Sequence, residues 1–341
     1  MVSKHTVNLM LCKFELPSVE GIEKVLNYKG ERLVIKAILC NKSTVALRFF
    51  SISESTKHEL EMQGRFMELL SNHSLPVPTR YRTIDDNYVC DGLGDCRDML
   101  CVVDQWMPGS ELTQVNPFYA GELGKLMAKI HSISENCDVT FDHWTDWNMF
   151  LSRNASKSQV WENVSCADEL IQKLWRLPVN KDLLGEIEKL VNKKRHRLKQ
   201  YFSQIPSGPV HSDLFPNNIL LNNAGEISGV IDFHCAGHEI LVNELGATAV
   251  ACCYDSELCE VDAMDQCFRQ WLLSYQSVRR LSQKEVLALK LLISILKPFL
   301  FDSYETINDQ IKIGNMAGIN RRLKAILMEM EAEELLNDVF K

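Results

Sequence analysis

The sequence lacks an excess of positive charge. It has 37 Lys and Arg against 45 Asp and Glu, which gives a net charge of −8 and a pI near 5.7. A mildly acidic surface offers little attraction to a nucleic acid or to an anionic membrane. We therefore expect a small-molecule partner, with no role for nucleic acid or membrane.

Long hydrophobic runs are also missing. The longest apolar run, residues 287–301, is interrupted by Lys290 and Lys297 and broken by Pro298, so it is well short of a bilayer span and predicts a core helix. Near the amino terminus, residues 7–12 are apolar but too few for a signal peptide, and no small-residue cleavage site follows them. These absences predict a cytoplasmic protein.

Cysteine is plentiful, with 12 residues, but the spacing of a metal site is absent. There is no Cys-x-x-Cys pair, and only Cys252 and Cys253 are adjacent. Free, mostly buried thiols are the favoured interpretation, and a zinc-binding protein is the alternative. With 46% hydrophobic residues among 341 and no low-complexity segment, the chain can fill one large core or two lobes.

The most informative segment runs from Val210 to Leu220 and reads Val-His-Ser-Asp-Leu-Phe-Pro-Asn-Asn-Ile-Leu. A second, Gly-Val-Ile-Asp-Phe, follows at residues 229–233. Phosphoryl transfer needs a carboxylate near the acceptor hydroxyl and oxygen ligands for Mg²⁺. Asp213, Asn218 and Asp232 can supply these groups.

The residues between the two segments predict a β-hairpin. Residues 219–221 and 227–233 are apolar, and residues 222–226 are rich in turn formers. A hairpin brings the start of one strand beside the end of the next, so Asn218 and Asp232 come together.

The pattern His-x-Asp-x-x-x-x-Asn followed by Ile-Asp-Phe resembles the catalytic and metal-binding loops of the aminoglycoside phosphotransferase / choline kinase superfamily. Within it, the wording is most similar to the type II homoserine kinase branch. The resemblance implies a protein-kinase-like fold, with Asp213 as the catalytic base and Asn218 and Asp232 as Mg²⁺ ligands. His211 would belong to the nucleotide-binding group by bracing the loop backbone. The alternative is that these residues only cap turns and end a strand.

The N-terminal part has the order of a kinase small lobe. Residues 31–39 and 44–50 predict an antiparallel strand pair, and residues 58–71 predict a helix that a Leu-Pro-Val-Pro sequence stops. Kinases grip the phosphates with a basic residue that a helix carboxylate holds. Arg48 and Glu59 occupy those positions by resemblance, although Glu61 is close enough to leave the choice open. An arginine facing solvent is the alternative for Arg48.

Two further features concern the nucleotide. Residues 100–106 predict a strand that Met107-Pro108-Gly109 breaks before a helix over residues 117–131, and this resembles the hinge at which adenine would bind backbone groups near Gln105 and Met107. A Gly-x-Gly-x-x-Gly loop is missing between Gly21 and Gly30. The glycines of residues 92–97 predict a hairpin turn instead.

Residues 141–207 match by position the insertion that shapes acceptor sites in the superfamily. Trp144, Asp146 and Trp147 would form a lip for an ammonium group or would anchor helix packing, and the sequence favours neither. Downstream, Glu244 stands where relatives carry a structural aspartate. A Ser-x-x-Glu capping box begins at Ser282.

We therefore predict an α+β, two-lobed fold. Residues 1–105 would form a small lobe of antiparallel sheet and helix, and residues 106–341 a larger, mainly helical lobe. The predicted activity is transfer of the γ-phosphoryl group of ATP, with Mg²⁺, to the hydroxyl of a small, amine-containing metabolite such as homoserine or another amino alcohol. The alternatives are an aminoglycoside O-phosphotransferase and a nucleotide-binding regulatory module without turnover. Either a monomer or a homodimer is expected.

Overall fold

The computed structural model describes residues 2–28, 32–53, 55–145 and 163–331. Ten helices are described, and their bounds are α1 Lys4–Lys13, α2 Lys57–Asn72, α3 Pro117–Ser134, α4 Asn163–Trp175, α5 Lys181–Lys199, α6 Leu241–Cys253, α7 Met264–Val278, α8 Gln283–Leu296, α9 Phe301–Lys312 and α10 Met316–Glu331. The strands over the same residues are β1 Val19–Tyr28, β2 Arg32–Leu39, β3 Thr44–Ser51, β4 Cys90–Asp91, β5 Met99–Gln105, β6 Ser110–Glu111, β7 Ser207–Val210, β8 Ile219–Leu221, β9 Ile227–Val230 and β10 Gly237–Ile240.

Two compact units emerge from the contacts along the chain. The first comprises residues 1–112, 138–142 and 217–236, and the second comprises residues 113–137, 143–216 and 237–341. They differ from the expected lobes 1–105 and 106–341 in that the first unit continues to residue 112 and takes in residues 138–142 and the hairpin.

The first unit is built on a five-stranded sheet of order β1-β2-β3-β5-β4, with every neighbouring pair antiparallel. Alternate residues of β2 and β3 are buried against α1, among them Ile35 and Leu47. Phe50 is buried with Leu60 of α2 instead. Because side chains alternate along a strand, Arg48 lies on the same face as Phe50. The predicted strand pair and helix are therefore confirmed, and α1 is an addition.

A second sheet in this unit, of order β6-β8-β9, contains the predicted hairpin. Its turn is closed by Asn222, whose side-chain Oδ1 accepts the backbone N–H groups of Ala224 and Glu226. The strand expected to reach residue 233 ends at Val230, because Asp232 adopts a left-handed conformation with φ of 65°. Residues 92–97 form the predicted turn between β4 and β5.

The second unit is mainly helical, with a two-stranded sheet of β10 and β7. Nearly every residue of α6 is buried, as its apolar circumference requires. Helices α3 and α7 pack closely where a Cβ on Gly124 would lie 2.3 Å from the carbonyl oxygen of Trp271. The predicted capping box at Ser282 and Glu285 starts α8, most of which is buried in the core.

The division into a small unit of antiparallel sheet with helices and a larger, mainly helical unit confirms the predicted α+β class. No helix among the described ranges combines the length and the apolar character that a membrane span requires.

Candidate functional site

Arg48 of β3 and Asp232, which follows β9, form an ion pair in the first unit. The hairpin positions Asp232, since Ile219 pairs with Val230 and the backbone N–H of Ile231 donates to the carbonyl oxygen of Asn218 at 2.9 Å. Asn218 and Asp232 are thus brought to adjoining positions of the backbone, as the sequence predicted.

Three cationic groups face the Asp232 carboxylate. Arg32 Nη1 lies 3.8 Å and His234 Nδ1 3.0 Å from Oδ1, beside the Arg48 guanidinium. Burial alone would raise the pKa of Asp232, but Arg48, His234 and Arg32 together hold it well below its usual value. The carboxylate is therefore ionised across the physiological pH range.

His234 is cationic because the groups around it raise its pKa. Burial alone would lower its pKa, but the hydrogen bond to Asp232 and a 3.0 Å contact between Nε2 and the Cys235 sulfur raise it to about 10. The imidazolium and the two arginines thus form a cationic surrounding for one carboxylate.

Arg48 also contacts Asp104 of β5, with Nε 3.4 Å from Oδ2. Arg80 binds the same carboxylate with a fork of two contacts, at 2.7 and 3.1 Å. Asp104 is almost fully buried, and its two carboxyl oxygens contact two guanidiniums. The sequence analysis overlooked Asp104, although an acidic residue inside an apolar strand is itself a signal of a nearby cation.

The two candidate helix carboxylates have other described contacts. Glu59 accepts the backbone N–H of Thr56 and completes the capping box of α2. Glu61 accepts the backbone N–H groups of Tyr88 and Val89 at 2.7 and 3.1 Å. The Arg48–Glu59 pair stays a prediction, and the carboxylates described at Arg48 are aspartates.

The backbone N–H groups of Gln105, Trp106 and Met107 in the hinge-like segment differ in their hydrogen bonding. The N–H of Gln105 donates to the carbonyl of Thr79 at 2.7 Å, and that of Trp106 donates to Thr44 at 3.1 Å. Within the described part of the chain, no hydrogen bond engages the N–H of Met107. Of the two expected adenine positions, Met107 therefore has the N–H that a ligand can use.

The residues of the predicted catalytic loop, 211–213, lie in the second unit, after β7. Ser212 adopts a left-handed conformation with φ of 66°, which is rare for residues other than glycine. Its backbone N–H donates to Glu244 Oε1 at 2.6 Å, and the N–H of Asp213 donates to His211 Nδ1 at 3.2 Å. His211 is fully buried, and through Nδ1 it accepts this hydrogen bond from the loop backbone.

Glu244 thus takes up a bracing position despite being longer than an aspartate. Its second oxygen, Oε2, lies 2.6 Å from Nε2 of His131 on α3. His131 is fully buried and was not singled out from the sequence. A histidine in the apolar face of a predicted core helix is the signal that would have drawn attention to it.

A cavity in the second unit adjoins the same loop. Its empty volume is about 300 Å³, part of it open to solvent, and its lining includes Ser212, Phe215, Glu239, Asn243 and Glu244. Burial raises the pKa of Glu239 to about 8. Thr145 donates a hydrogen bond to the Glu239 side chain.

The predicted lip is described only in part. The Trp144 ring packs against Phe202 at 5.1 Å and against His238 at 4.6 Å between centroids, as a packing anchor would. Asp146 and Trp147 lie outside the described residues.

The comparisons with known proteins agree on one family. Residues 32–270 match the family model described as "Phosphotransferase enzyme family". Homoserine kinase from Gluconobacter oxydans (strain 621H) is 28% identical over 223 residues, which cover 64% of this chain and 60% of that protein. The matched region therefore spans about three fifths of this curated relative.

Two solved structures share the fold. A microcompartment-associated aminopropanol kinase has a TM-score of 0.61 at 16% identity, covering 99% of both chains. Amicoumacin kinase hAmiN in complex with AMP-PNP, Ca²⁺ and Ami has a TM-score of 0.59 at 15% identity, covering 92% of this chain and 89% of that one. These likenesses confirm the kinase-like fold predicted from the sequence.

Proposed function

This chain belongs to the phosphotransferase enzyme family, and we propose that it transfers the γ-phosphoryl group of ATP to the hydroxyl of a small amino alcohol. Homoserine is the leading acceptor, because the curated relatives are homoserine kinases. The aminopropanol kinase with the same fold supports the same chemical class, a hydroxyl and an amine on a short carbon chain.

The observation that carries the proposal is the ion pair between Arg48 of β3 and Asp232, which follows a hairpin that also positions Asn218. The Asp232 carboxylate is held ionised by neighbouring cations, and the hairpin brings the backbone of Asn218 beside it. A carboxylate and an amide provide the hard oxygen ligands that suit Mg²⁺. Asn218 and Asp232 would hold the metal. A bound Mg²⁺ supplies neutralisation of the phosphate charge.

Arg48 and Arg32 would bind phosphate oxygens, since a guanidinium presents a fixed fork of donors to an oxyanion. The N–H of Met107 would donate to the adenine edge. Asp213 would accept the proton of the acceptor hydroxyl, and the braced loop would fix the direction of its side chain.

The test is ADP release from ATP and Mg²⁺ in the presence of a panel of acceptors: homoserine, 1-amino-2-propanol, ethanolamine, choline, hydroxylated amino acids, sugars and aminoglycosides. Asp213→Asn is the blank, and Asp262→Asn, which changes an exposed aspartate in the same way, is the matched control. We expect one small amino alcohol to give turnover that Asp262→Asn keeps and Asp213→Asn loses.

Two results would contradict this proposal. A preferred aminoglycoside would replace the amino alcohol with an antibiotic acceptor. Binding of ATP without Asp213-dependent turnover on any acceptor would favour a regulatory nucleotide-binding module.

A further inference from the structure

A chain of buried polar groups runs away from the catalytic loop through the second unit. It begins at the Ser212 N–H, passes through Glu244 to His131 Nε2, and continues from His131 Nδ1 to the hydroxyl of Tyr275 at 2.7 Å. Arg279 Nη1 then donates to the Tyr275 oxygen at 3.1 Å. All five residues are nearly inaccessible to solvent, so each hydrogen bond counts strongly.

Ion pairs fix the position of Arg279, which lies at the far end of this series of hydrogen bonds. Arg279 Nη2 lies 2.9 Å from Glu135 Oε2 and 2.8 Å from Glu285 Oε1. Glu285 is also the third residue of α8, and its carboxylate accepts the N–H of Ser282 in the capping box. The guanidinium therefore has a fixed position from which to donate.

From Arg279 through Tyr275 and His131 to Glu244, each group donates a hydrogen bond to the next group. Because Arg279 donates to the Tyr275 oxygen, the hydroxyl proton points elsewhere, and the nitrogen at 2.7 Å is His131 Nδ1. Burial raises the pKa of Tyr275, so the phenol keeps its proton. An Nδ1 that accepts leaves the imidazole proton on Nε2, which faces the Glu244 carboxylate.

The opposite arrangement fails on the same geometry. A proton on Nδ1 would set two donors against the Tyr275 oxygen. The hydroxyl proton would then have no acceptor among the contacts of the described residues. An unsatisfied buried hydroxyl is costly, so this arrangement is disfavoured.

We infer that Arg279 and Tyr275 fix His131 as the neutral Nε2–H tautomer, and that His131 is thereby a positioning residue for the catalytic loop. Its N–H holds Glu244 Oε2, which leaves Oε1 to hold Ser212 in its left-handed conformation and so to set the direction of Asp213. The part of this inference that concerns catalysis rests on the proposed function, whereas the tautomer does not.

The tautomer is read by two-bond ¹⁵N–¹H correlation NMR of the histidine side chains, with His131 assigned from the spectrum of His131→Gln. We expect wild-type His131 in the Nε2–H form at pH 7. In Tyr275→Phe, which removes the hydroxyl alone, the Nδ1–H form or an imidazolium becomes populated. The matched control is Tyr254→Phe, which removes a phenol that hydrogen-bonds to Asp265 at 2.7 Å. This phenol is not part of the series of hydrogen bonds at His131, so we expect the His131 tautomer to be unchanged. An Nδ1–H tautomer or an imidazolium in the wild type would overturn the inference.

The second measurement is turnover, at a temperature at which circular dichroism shows every variant to be folded. We expect Tyr275→Phe to lower kcat about tenfold, with KM for ATP within about twofold of wild type, because a misdirected base slows chemistry more than binding. His131→Gln, whose amide N–H replaces Nε2–H, should keep more kcat than His131→Leu. Equal losses in these two variants, or a change in KM alone, would reduce His131 to a structural role.

The two proposals fail separately. A wild-type enzyme that turns over no acceptor contradicts the proposed function, yet the tautomer experiment still decides the hydrogen-bond chain. An active enzyme with normal kcat in Tyr275→Phe contradicts only the positioning role.

Discussion

The surroundings of Asp232 suit the metal-binding role that we propose for it. Its carboxylate faces Arg48, Arg32 and His234, so negative charge at this position is stabilised in the ligand-free protein. In the proposed complex Asp232 would hold the metal, and Arg48 and Arg32 would bind phosphate oxygens, so the residues would exchange their present partners for the ligand. Such an exchange conserves the number of paired charges, which limits the desolvation cost of binding.

Replacing Arg48 tests this exchange. We expect Arg48→Met to weaken ATP binding about tenfold to a hundredfold, since a buried charge-assisted contact is worth about 1.5–3 kcal/mol. The ATP affinity of Arg48→Lys should lie between those of the wild type and Arg48→Met, because lysine keeps the charge and loses the planar fork of donors. Isothermal titration calorimetry with Mg²⁺ and AMP-PNP measures the affinity. The control is Arg82→Met, which removes an arginine paired with Glu68 and Asp86; a similar loss there would show that the effect is not specific to Arg48.

Glu239 gives a pH dependence. Burial raises the pKa of its carboxyl to about 8 from an ordinary value of 4.5. Between these two pH values the folded chain holds a proton that the unfolded chain releases, so this residue makes stability fall as pH rises from about 4.5 to about 8. We expect Glu239→Gln to remove that slope, which amounts to the order of a few kcal/mol across the window.

Urea unfolding at pH 5, 6.5 and 8 measures the slope. The matched control is Glu186→Gln, because Glu186 is exposed on α5 and the change removes one carboxylate without altering the cavity. If both variants kept the wild-type slope, another group would be responsible for it.

Elements with a local signal were the ones that the sequence predicted well. Helix α2 has the Thr56–Glu59 capping box, and the hairpin of β8 and β9 has a turn closed by Asn222. Helix α1 was missed because its apolar residues, among them Val7, Met10 and Leu11, become intelligible only against the sheet that they cover. Strands β7 and β10 pair across a long sequence separation, which no local pattern reveals.

At the candidate site too, the residues of a local motif were predicted and the contacts between distant residues were not. Asp213, Asn218 and Asp232 stand in a motif of fixed spacing, so the sequence names them directly. Other contacts near the candidate site join residues that are distant in sequence: Asp104 reaches Arg48 from another strand, and His131 reaches Glu244 from another helix. Ion pairs and buried hydrogen bonds of this kind depend on the register of packed elements, which composition and periodicity do not encode.

Replacing Gly109, which directly precedes β6, tests the junction between β6 and β8. Its φ of 141° disfavours any side chain, and an added Cβ would lie 2.8 Å from the carbonyl oxygen of Leu221. We expect Gly109→Ala to lower the free energy of unfolding by about 1–3 kcal/mol. Gly185→Ala, in the middle of α5 with ordinary contact distances of 3.9 Å to Trp175, should instead stabilise by about 0.5–1 kcal/mol. Urea unfolding measures both, and a neutral Gly109→Ala would mean that this turn relaxes freely.

Over the whole molecule, the thiols are predicted to be free. No disulfide joins the eleven cysteines that the structure describes, and Cys12 and Cys40 are exposed. We expect a thiol reagent to modify these two rapidly in the native protein and all 12 after denaturation without reductant. Fewer than 12 reactive thiols in the denatured chain would indicate a disulfide, and zinc released on denaturation would favour the metal-protein interpretation. Cys12→Ser with Cys40→Ser should remove the rapid phase.

Ligand binding offers a last test of the molecule as a whole, because any group that binds only the folded chain stabilises it by mass action. At a ligand concentration of 100 times Kd the gain is about 2.7 kcal/mol. If Asn218 and Asp232 hold the metal that accompanies the nucleotide, AMP-PNP with Mg²⁺ should raise the unfolding temperature more than AMP-PNP with EDTA. Asp232→Asn should lose that difference, since an amide in place of the carboxylate removes the charge that neutralises the cation. Asp262→Asn should keep it. Equal stabilisation with and without Mg²⁺ in the wild type would show that nucleotide binding does not need the metal, and would leave Asp232 as a partner of Arg48, Arg32 and His234 only.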